Sequence, residues 1–320
     1  RKRLEMINRE LIRIKVVQLT YAYYQNGEKN MDNAEKELLF SLSKSYHLYN
    51  YLLYLIVAAS REERHRVDIA IQRAEREGTE KPSEKFVNNK FALQLEENKM
   101  LNDFFANDNQ AWEDNLDYVR KLCNHIEESE IYANYMADPT NSYAADKEVW
   151  RKLYKQLIAK DEEIDGILEE KSIYWNDDKD IIDTFVLKTI NQFDPANGAD
   201  QPLLPEFKDE EEKMFARKLF RAAILNAENY HRYMSETSRN WDFNRLAYMD
   251  VVIMQIAIAE MMSFPTIPVS VTINEYVELA KIYSTPKSGG YINGMLDSIA
   301  RYLVKSGKMY KVMKKGVSNQ

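Results

Sequence analysis

The residues of this chain whose types could carry chemistry are few and scattered. Its histidines stand at positions 47, 65, 125 and 231, and none takes the spacing of H-E-x-x-H or of another metal-binding run. Cys123 lies close to His125, but two ligands do not make a zinc site. Adjacent acids such as Glu127-Glu128 and Asp177-Asp178 point apart on a helix, so nothing proposes paired-carboxylate hydrolysis. There is no P-loop, no G-x-G-x-x-G run and no nucleophile elbow. The expectation is a protein without catalytic residues, metal ligands or a cofactor site. What remains is binding chemistry. Arg9 and Arg13 sit early in an N-terminal helix, where cations oppose the helix dipole, so capping does not explain them. Phosphate contact would, because arginine forks match phosphate oxygens. A solvated face is the plainer alternative.

The elements that must position these groups are helices. With 9 Gly and 8 Pro in 320 residues, little interrupts a helical ladder, which predicts an all-α protein. The single cysteine excludes an internal disulfide and fits a reducing compartment. The opening Arg-Lys-Arg-Leu-Glu lacks the apolar stretch of a secretory signal, and Met6 would make a natural start, which leaves the standing of residues 1–5 open. The most apolar run, Tyr46 to Ala59, is too short to span a bilayer and contains His47 and Asn50, so it reads as a core helix. A cytoplasmic protein with no membrane segment is expected. The net charge of −7 hides an asymmetry. Residues 1–30 carry seven Lys/Arg against three acids, and residues 295–320 carry six against Asp297. The middle is strongly acidic. Two basic ends on an acidic body would bind nucleic acid if they met in space; charged ends that merely keep the chain soluble are the alternative.

Read in order, residues 6–25 form a helix with Ile7, Leu11, Ile14, Gln18 and Tyr21 on one stripe and Arg9, Arg13, Val16 and Thr20 opposite. A second helix begins at a cap at Asp32 or Asn33 and runs to about Arg76. Further helices are expected over about 84–106, 109–136, 146–171 and 176–192, with a turn at Asp138-Pro139 and a polar linker from Asp194 to Pro205. This middle segment is rich in aromatic residues, including Phe105, Trp112, Tyr118, Tyr135, Trp150, Tyr154, Tyr174 and Trp175. They serve either as bulky core fillers or as a docking surface. A helix over 209–236 follows, and then a helix at 251–262 that is apolar nearly all round except for Gln255 and Glu260. Glu260 reads as a buried carboxylate with hydrogen-bond partners rather than a catalytic group. Ile267 to Leu303 reads as a helix opened by Pro268, a break at Ser284-Thr285-Pro286, and a second helix capped by Ser288. The basic stretch from Lys305 to Lys315 is either a disordered tail or a second nucleic-acid contact.

Two motifs in that last stretch carry a resemblance. P-x-x-V-x-I-N-E-x-V-E-L-A-K, from Pro268 to Lys281, and [FY]-[IV]-N-G-x-L-D-x-[IV]-A-R, from Tyr291 to Arg301, resemble the C-terminal signature of the NusB family of transcription antitermination factors. The run R-x-x-[IV]-x-x-[LV]-Q-x-x-Y, from Arg9 to Tyr21 with a slightly shifted spacing, is similar to that family's arginine-rich opening helix. VVIMQIAIAEMM is similar to its central helix. The resemblance implies a NusB-like helical domain of two packed three-helix units, built from residues 1–44 and 206–304. A large helical module at 45–205 would be inserted in it, and 305–320 would be a basic tail.

The same resemblance implies a function. The chain would bind boxA-type single-stranded RNA of ribosomal RNA transcripts together with NusE, a small-subunit ribosomal protein, and join the RNA polymerase antitermination complex. Arg9, Arg13 and Lys15 would position the RNA, with Tyr291 and Asn293 near the same surface, and Arg1, Lys2 and Arg3 would join them if native. The NusE surface would involve the two-helix motif and the central helix, without assignable residues. Some family members dimerise by covering their RNA face, so a homodimer stays open, as do the RNA base preference and the role of the insertion. The alternative function is a protein-interaction scaffold in which the acidic, aromatic insertion docks a partner.

Overall fold

A computed structural model describes residues 2–27, 30–107, 111–175, 177–207, 209–238 and 246–311, with side chains from Arg9 onward. Arg1, the side chains of Lys2 and Arg3, and the tail beyond Lys311 lie outside the described residues. The described chain is all-α: its regular elements are fourteen α-helices and three short 3-10 or π turns. No helix among the described residues is long and apolar enough to cross a membrane. The chain divides into two compact units, one of residues 1–42 and 206–320, the other of 43–205.

Unit 1 contains α1 (Lys2–Gln25), the start of α2 (Met31–Glu77), α10 (Glu210–Leu225), α11 (Ala227–Thr237), α12 (Tyr248–Ser263), α13 (Val269–Tyr283) and α14 (Ser288–Lys305). Its centre is α12, which packs against α1, α10, α11, α13 and α14. Every residue from Val252 to Met261 is buried, as an all-round apolar sequence requires. The helix expected over 209–236 is two helices. Asp209 caps α10 by accepting from the Glu212 N–H at 3.0 Å, and Asn226 separates α10 from α11. Gly289 lets α14 approach α13 closely: a Cβ there would stand 3.1 Å from the Lys281 stem. The cap expected at Ser288 is also different. Ser288 is the first residue of α14, and its hydroxyl donates to Asp250 on α12 at 3.1 Å.

The first helix departs furthest from its expected pattern. Residues 11–17 are all buried, including Arg13, Lys15 and Val16, and so is Thr20. The two-faced reading fails because α1 is covered by α10 and α12, so both of its faces meet helix rather than water.

Unit 2 is organised on the long helix α2, which ends at Gly78 in the left-handed conformation (φ 68°) that glycine adopts without strain. The long helices expected here are shorter and more numerous: α3 (Lys90–Glu96), α4 (Lys99–Phe104), α5 (Leu116–Glu128), α6 (Glu130–Ala137), α7 (Tyr143–Leu153), α8 (Glu162–Lys171) and α9 (Lys179–Gln192). Side chains of Asn89, Asn98, Ser129, Ser142 and Asp161 each accept a backbone N–H and restart the chain. The aromatic residues are mostly core. Trp112, Trp150 and Tyr154 are fully buried and Trp175 nearly so. Trp112 stacks on Tyr51 with ring centres 4.3 Å apart and donates its indole N–H to the Tyr51 carbonyl at 2.8 Å. These contacts hold Trp112 at φ 69°, a left-handed conformation unfavourable for a bulky residue. The stretch 194–205 is not a loose linker. Gln201, Leu203 and Leu204 are buried, and the Leu204 N–H donates to the Tyr49 hydroxyl at 3.1 Å.

Candidate nucleic-acid interface

The two polar residues of α12 tie distant parts of unit 1 together. Glu260 is fully buried and accepts from Arg13 Nε at 2.7 Å, Thr272 Oγ1 at 2.6 Å and the Tyr276 hydroxyl at 3.2 Å. Burial works most strongly against the Arg13 charge, but Glu260, Tyr276 and Glu275 together outweigh it and hold the guanidinium pKa above its ordinary value. One carboxylate therefore joins α1, α12 and α13. Gln255 does the same for α1, α10 and α11. Its amide N–H groups donate to the Ala223 carbonyl at 2.7 Å and the Tyr24 hydroxyl at 2.9 Å, and its carbonyl lies 2.7 Å from His231 Nε2. Since that carbonyl can only accept, His231 carries a proton on Nε2.

These partnerships relocate two of the residues expected to touch RNA. Arg13 is 4% exposed and paired with Glu260, with Glu275 3.7 Å away. Lys15 is 3% exposed. Neither presents its charge to solvent, and in this conformation both are interior. Arg9 is half-buried, and its guanidinium lies 5.0 Å from the centre of the Phe215 ring on α10. Tyr291 and Asn293 are elsewhere. The Tyr291 phenol is pushed up to about 12 by burial and by the Asp250 carboxylate, at the first turn of α12. Arg13 meets Glu260 in the last turn, ten residues further on, which is about 15 Å of helix rise. Tyr291 and the exposed Asn293 thus occupy the end of α12 opposite to Arg9 rather than the same surface.

Arg9 instead belongs to a cluster that the motifs do not mark. Phe215 packs on Phe264 with ring centres 4.7 Å apart. Lys218 Nζ sits 5.1 Å over the Phe264 ring, and Lys311 Nζ donates to the Phe264 carbonyl at 3.0 Å. Met309 is buried, so the chain after α14 is docked as far as Lys311. Arg9 from one basic end and Lys311 from the other thus meet at the Phe215–Phe264 pair, the first at a ring and the second at a main-chain carbonyl. Among the described residues, Arg9, Lys218 and Lys311 form no ion pair, whereas Arg217 and Arg221 on the same helix, α10, are engaged by Glu35 and Asp32. The sequence signal for this cluster was weak: lysines at helical spacing from a phenylalanine, and a tail of alternating Lys and apolar residues.

Unit 2 also brings cations to rings, as where Lys171 lies 5.4 Å over Tyr51. Several of its cations are paired with acids: Arg61 and Arg64 share Glu96, and Lys179 is buried against Asp183 at 2.7 Å. Burial of most of its aromatic residues removes much of the surface on which the scaffold reading depended. No group of three or more His, Cys, Asp or Glu among the described residues could hold a metal ion.

A profile of the NusB family matches residues 181–301, beginning within α9. Among curated relatives, "Transcription antitermination protein NusB" of Chloroherpeton thalassium is 36% identical over 34% of this chain and 53% of its own length. The protein of that name from Salinibacter ruber is 32% identical over 39% of this chain and 82% of its own length. The Geotalea daltonii protein is 35% identical over 42% and 89%. The chain therefore spans about half of the first relative and most of the other two. A solved structure of T. maritima NusB is 31% identical, covering 36% of this chain and 72% of that one, at a TM-score of 0.28.

Proposed function

The chain belongs to the NusB family, and from that premise we propose that it is a transcription antitermination factor whose unit 1 binds boxA-type single-stranded RNA of ribosomal RNA transcripts. It does so together with NusE, and the assembly joins RNA polymerase and suppresses termination. Unit 2 is, up to about residue 180 where the family match begins, a module inserted into the family domain. The observation that supports RNA binding most is that Arg9 and Lys311, from the two basic ends of the chain, converge on the Phe215–Phe264 pair without carboxylate partners. Cations in excess beside aromatic rings suit a flexible strand, whose phosphates they neutralise while its bases stack.

Within this reading Arg9 is a phosphate contact. Arg13 and Lys15 act from the interior, Arg13 by fixing the helix that presents Arg9 through its bond to Glu260. Asn293 and Tyr291 reach only RNA that extends along α12, as a second and weaker contact. The reaction is binding, with no covalent step. The test is fluorescence anisotropy of labelled boxA RNA against the full chain, with a scrambled RNA as control. Arg9→Ala is expected to weaken boxA binding roughly fourfold at about 0.15 M salt, from the single-strand salt exponent of about 0.7 per phosphate. Equal affinity for the scrambled RNA would remove the sequence-specific part of the reading.

A further inference from the structure

Lys218 and Lys311 are cations in unit 1 that neither the family motifs nor the ion pairs account for. Lys218 is exposed on α10, and its amine lies over a half-buried ring. A lysine stem is flexible, so the amine can leave the ring face for a phosphate and a base can take its place. Lys311 is half-buried and spends one donor on the Phe264 carbonyl, which leaves two of its three N–H groups to offer. Burial lowers the Lys311 pKa, and Glu260 only partly restores it. That ammonium is therefore a partly dehydrated cation that forms no ion pair among the described residues, the condition that an incoming anion relieves. Beneath them, Phe215 is 3% exposed and braces Phe264 from the interior.

We propose that Lys218, over the Phe264 ring, and Lys311, on the Phe264 main-chain carbonyl, extend the RNA site beyond Arg9, so that residues 306–311 after α14 are part of the nucleic-acid surface. The two lysines hold successive phosphates, and the Phe264 face receives an unpaired base. This rests on the RNA-binding reading of unit 1. It assigns to residues 306–311 a role separate from that of the arginine-bearing helix.

The experiment is a salt series of anisotropy titrations with labelled boxA RNA, as a single strand and annealed to its complement. It compares the full chain with Arg9→Ala, with Lys218→Gln plus Lys311→Gln, and with Phe264→Leu. Circular dichroism melts check that each variant folds. The double lysine variant should bind roughly fifteenfold more weakly at about 0.15 M salt, with the log–log salt slope reduced by about 1.4, as two single-strand phosphate contacts require. Phe264→Leu should lose roughly tenfold or more in affinity for the single strand with an unchanged slope, as loss of one stacked base requires. An unchanged slope in the double lysine variant, with a reduced slope in Arg9→Ala, would overturn the proposal and leave the RNA reading standing. Equal binding of duplex and single strand, untouched by Phe264→Leu, would overturn it in favour of a general polyanion patch. No RNA binding by the unaltered chain would end both.

Discussion

The two units solve the problem of buried polarity differently. In unit 1, single side chains on α12 bind helices that are far apart in sequence: Glu260 reaches Arg13, 247 residues away, and Gln255 reaches Tyr24, 231 away. In unit 2, large rings fill the core, and much of the buried polarity serves to cap short helices, as Asn89 and Asn98 do. The charges diverge too. Unit 1 holds 24 Lys/Arg and 19 Asp/Glu, a net +5, while unit 2 holds 20 and 32, a net −12. Bulk charge is therefore a poor guide to partners here. A chain of net −7 contains a unit whose own sign suits a polyanion, and specific cations left without acids matter more than the total.

Breaking the unit 1 hub should have the largest effect. Glu260→Ala takes the short, fully buried partner from the buried Arg13 charge and leaves it only the longer Glu275 contact, with an expected loss of about 3 kcal/mol. Urea unfolding would measure it, and Arg13→Met combined with Glu260→Leu should recover much of the loss, because the pair is replaced by apolar volume. Removing a ring from unit 2 comes next. Trp112→Ala should cost about 3 kcal/mol from lost packing and an opened cavity, yet leave RNA affinity unchanged; a matching drop in RNA affinity would break the division of labour between the units.

A smaller effect concerns pH. Burial, with the Glu127 charge, raises the Glu63 carboxyl from 4.5 to about 7. The folded state then holds a proton that the unfolded state releases, so this group's contribution is fully present below about pH 4.5 and is lost as pH rises through 7. Glu63→Gln should flatten that part of the stability profile in chemical denaturation across pH. The smallest effect separates the two ends of α12. Asn293→Ala should change RNA affinity less than Arg9→Ala does, and the reverse order would move the centre of the RNA surface to the Asp250 end.

Much of unit 1 was legible because its signals are periodic and dense. The apolar run of α12, the Pro268 start and the Ser284–Pro286 break all lie where the residues imply. Glu260 was legible as a buried acid because an ionised group in such a helix requires partners. Its partner was not, since nothing local connects positions 13 and 260. For the same reason Arg13 read as a surface cation: a helix enclosed on both faces cannot be told from an amphipathic one when its buried cation has a remote acid. The short helices of unit 2 were blurred because Asn and Ser caps inside a polar sequence resemble ordinary helix-surface residues. Lys311 stood out only as one charge in a basic tail and Lys218 not at all, because only the fold brings both side chains to Phe264, one at its ring and one at its carbonyl.

The most direct measurement is the affinity of labelled boxA RNA for the full chain with and without NusE, at two salt concentrations. Binding that NusE tightens, that salt weakens and that a scrambled RNA loses is the expected result. No binding to boxA RNA under either condition would contradict RNA recognition by unit 1 and shift the search for function to partners of unit 2.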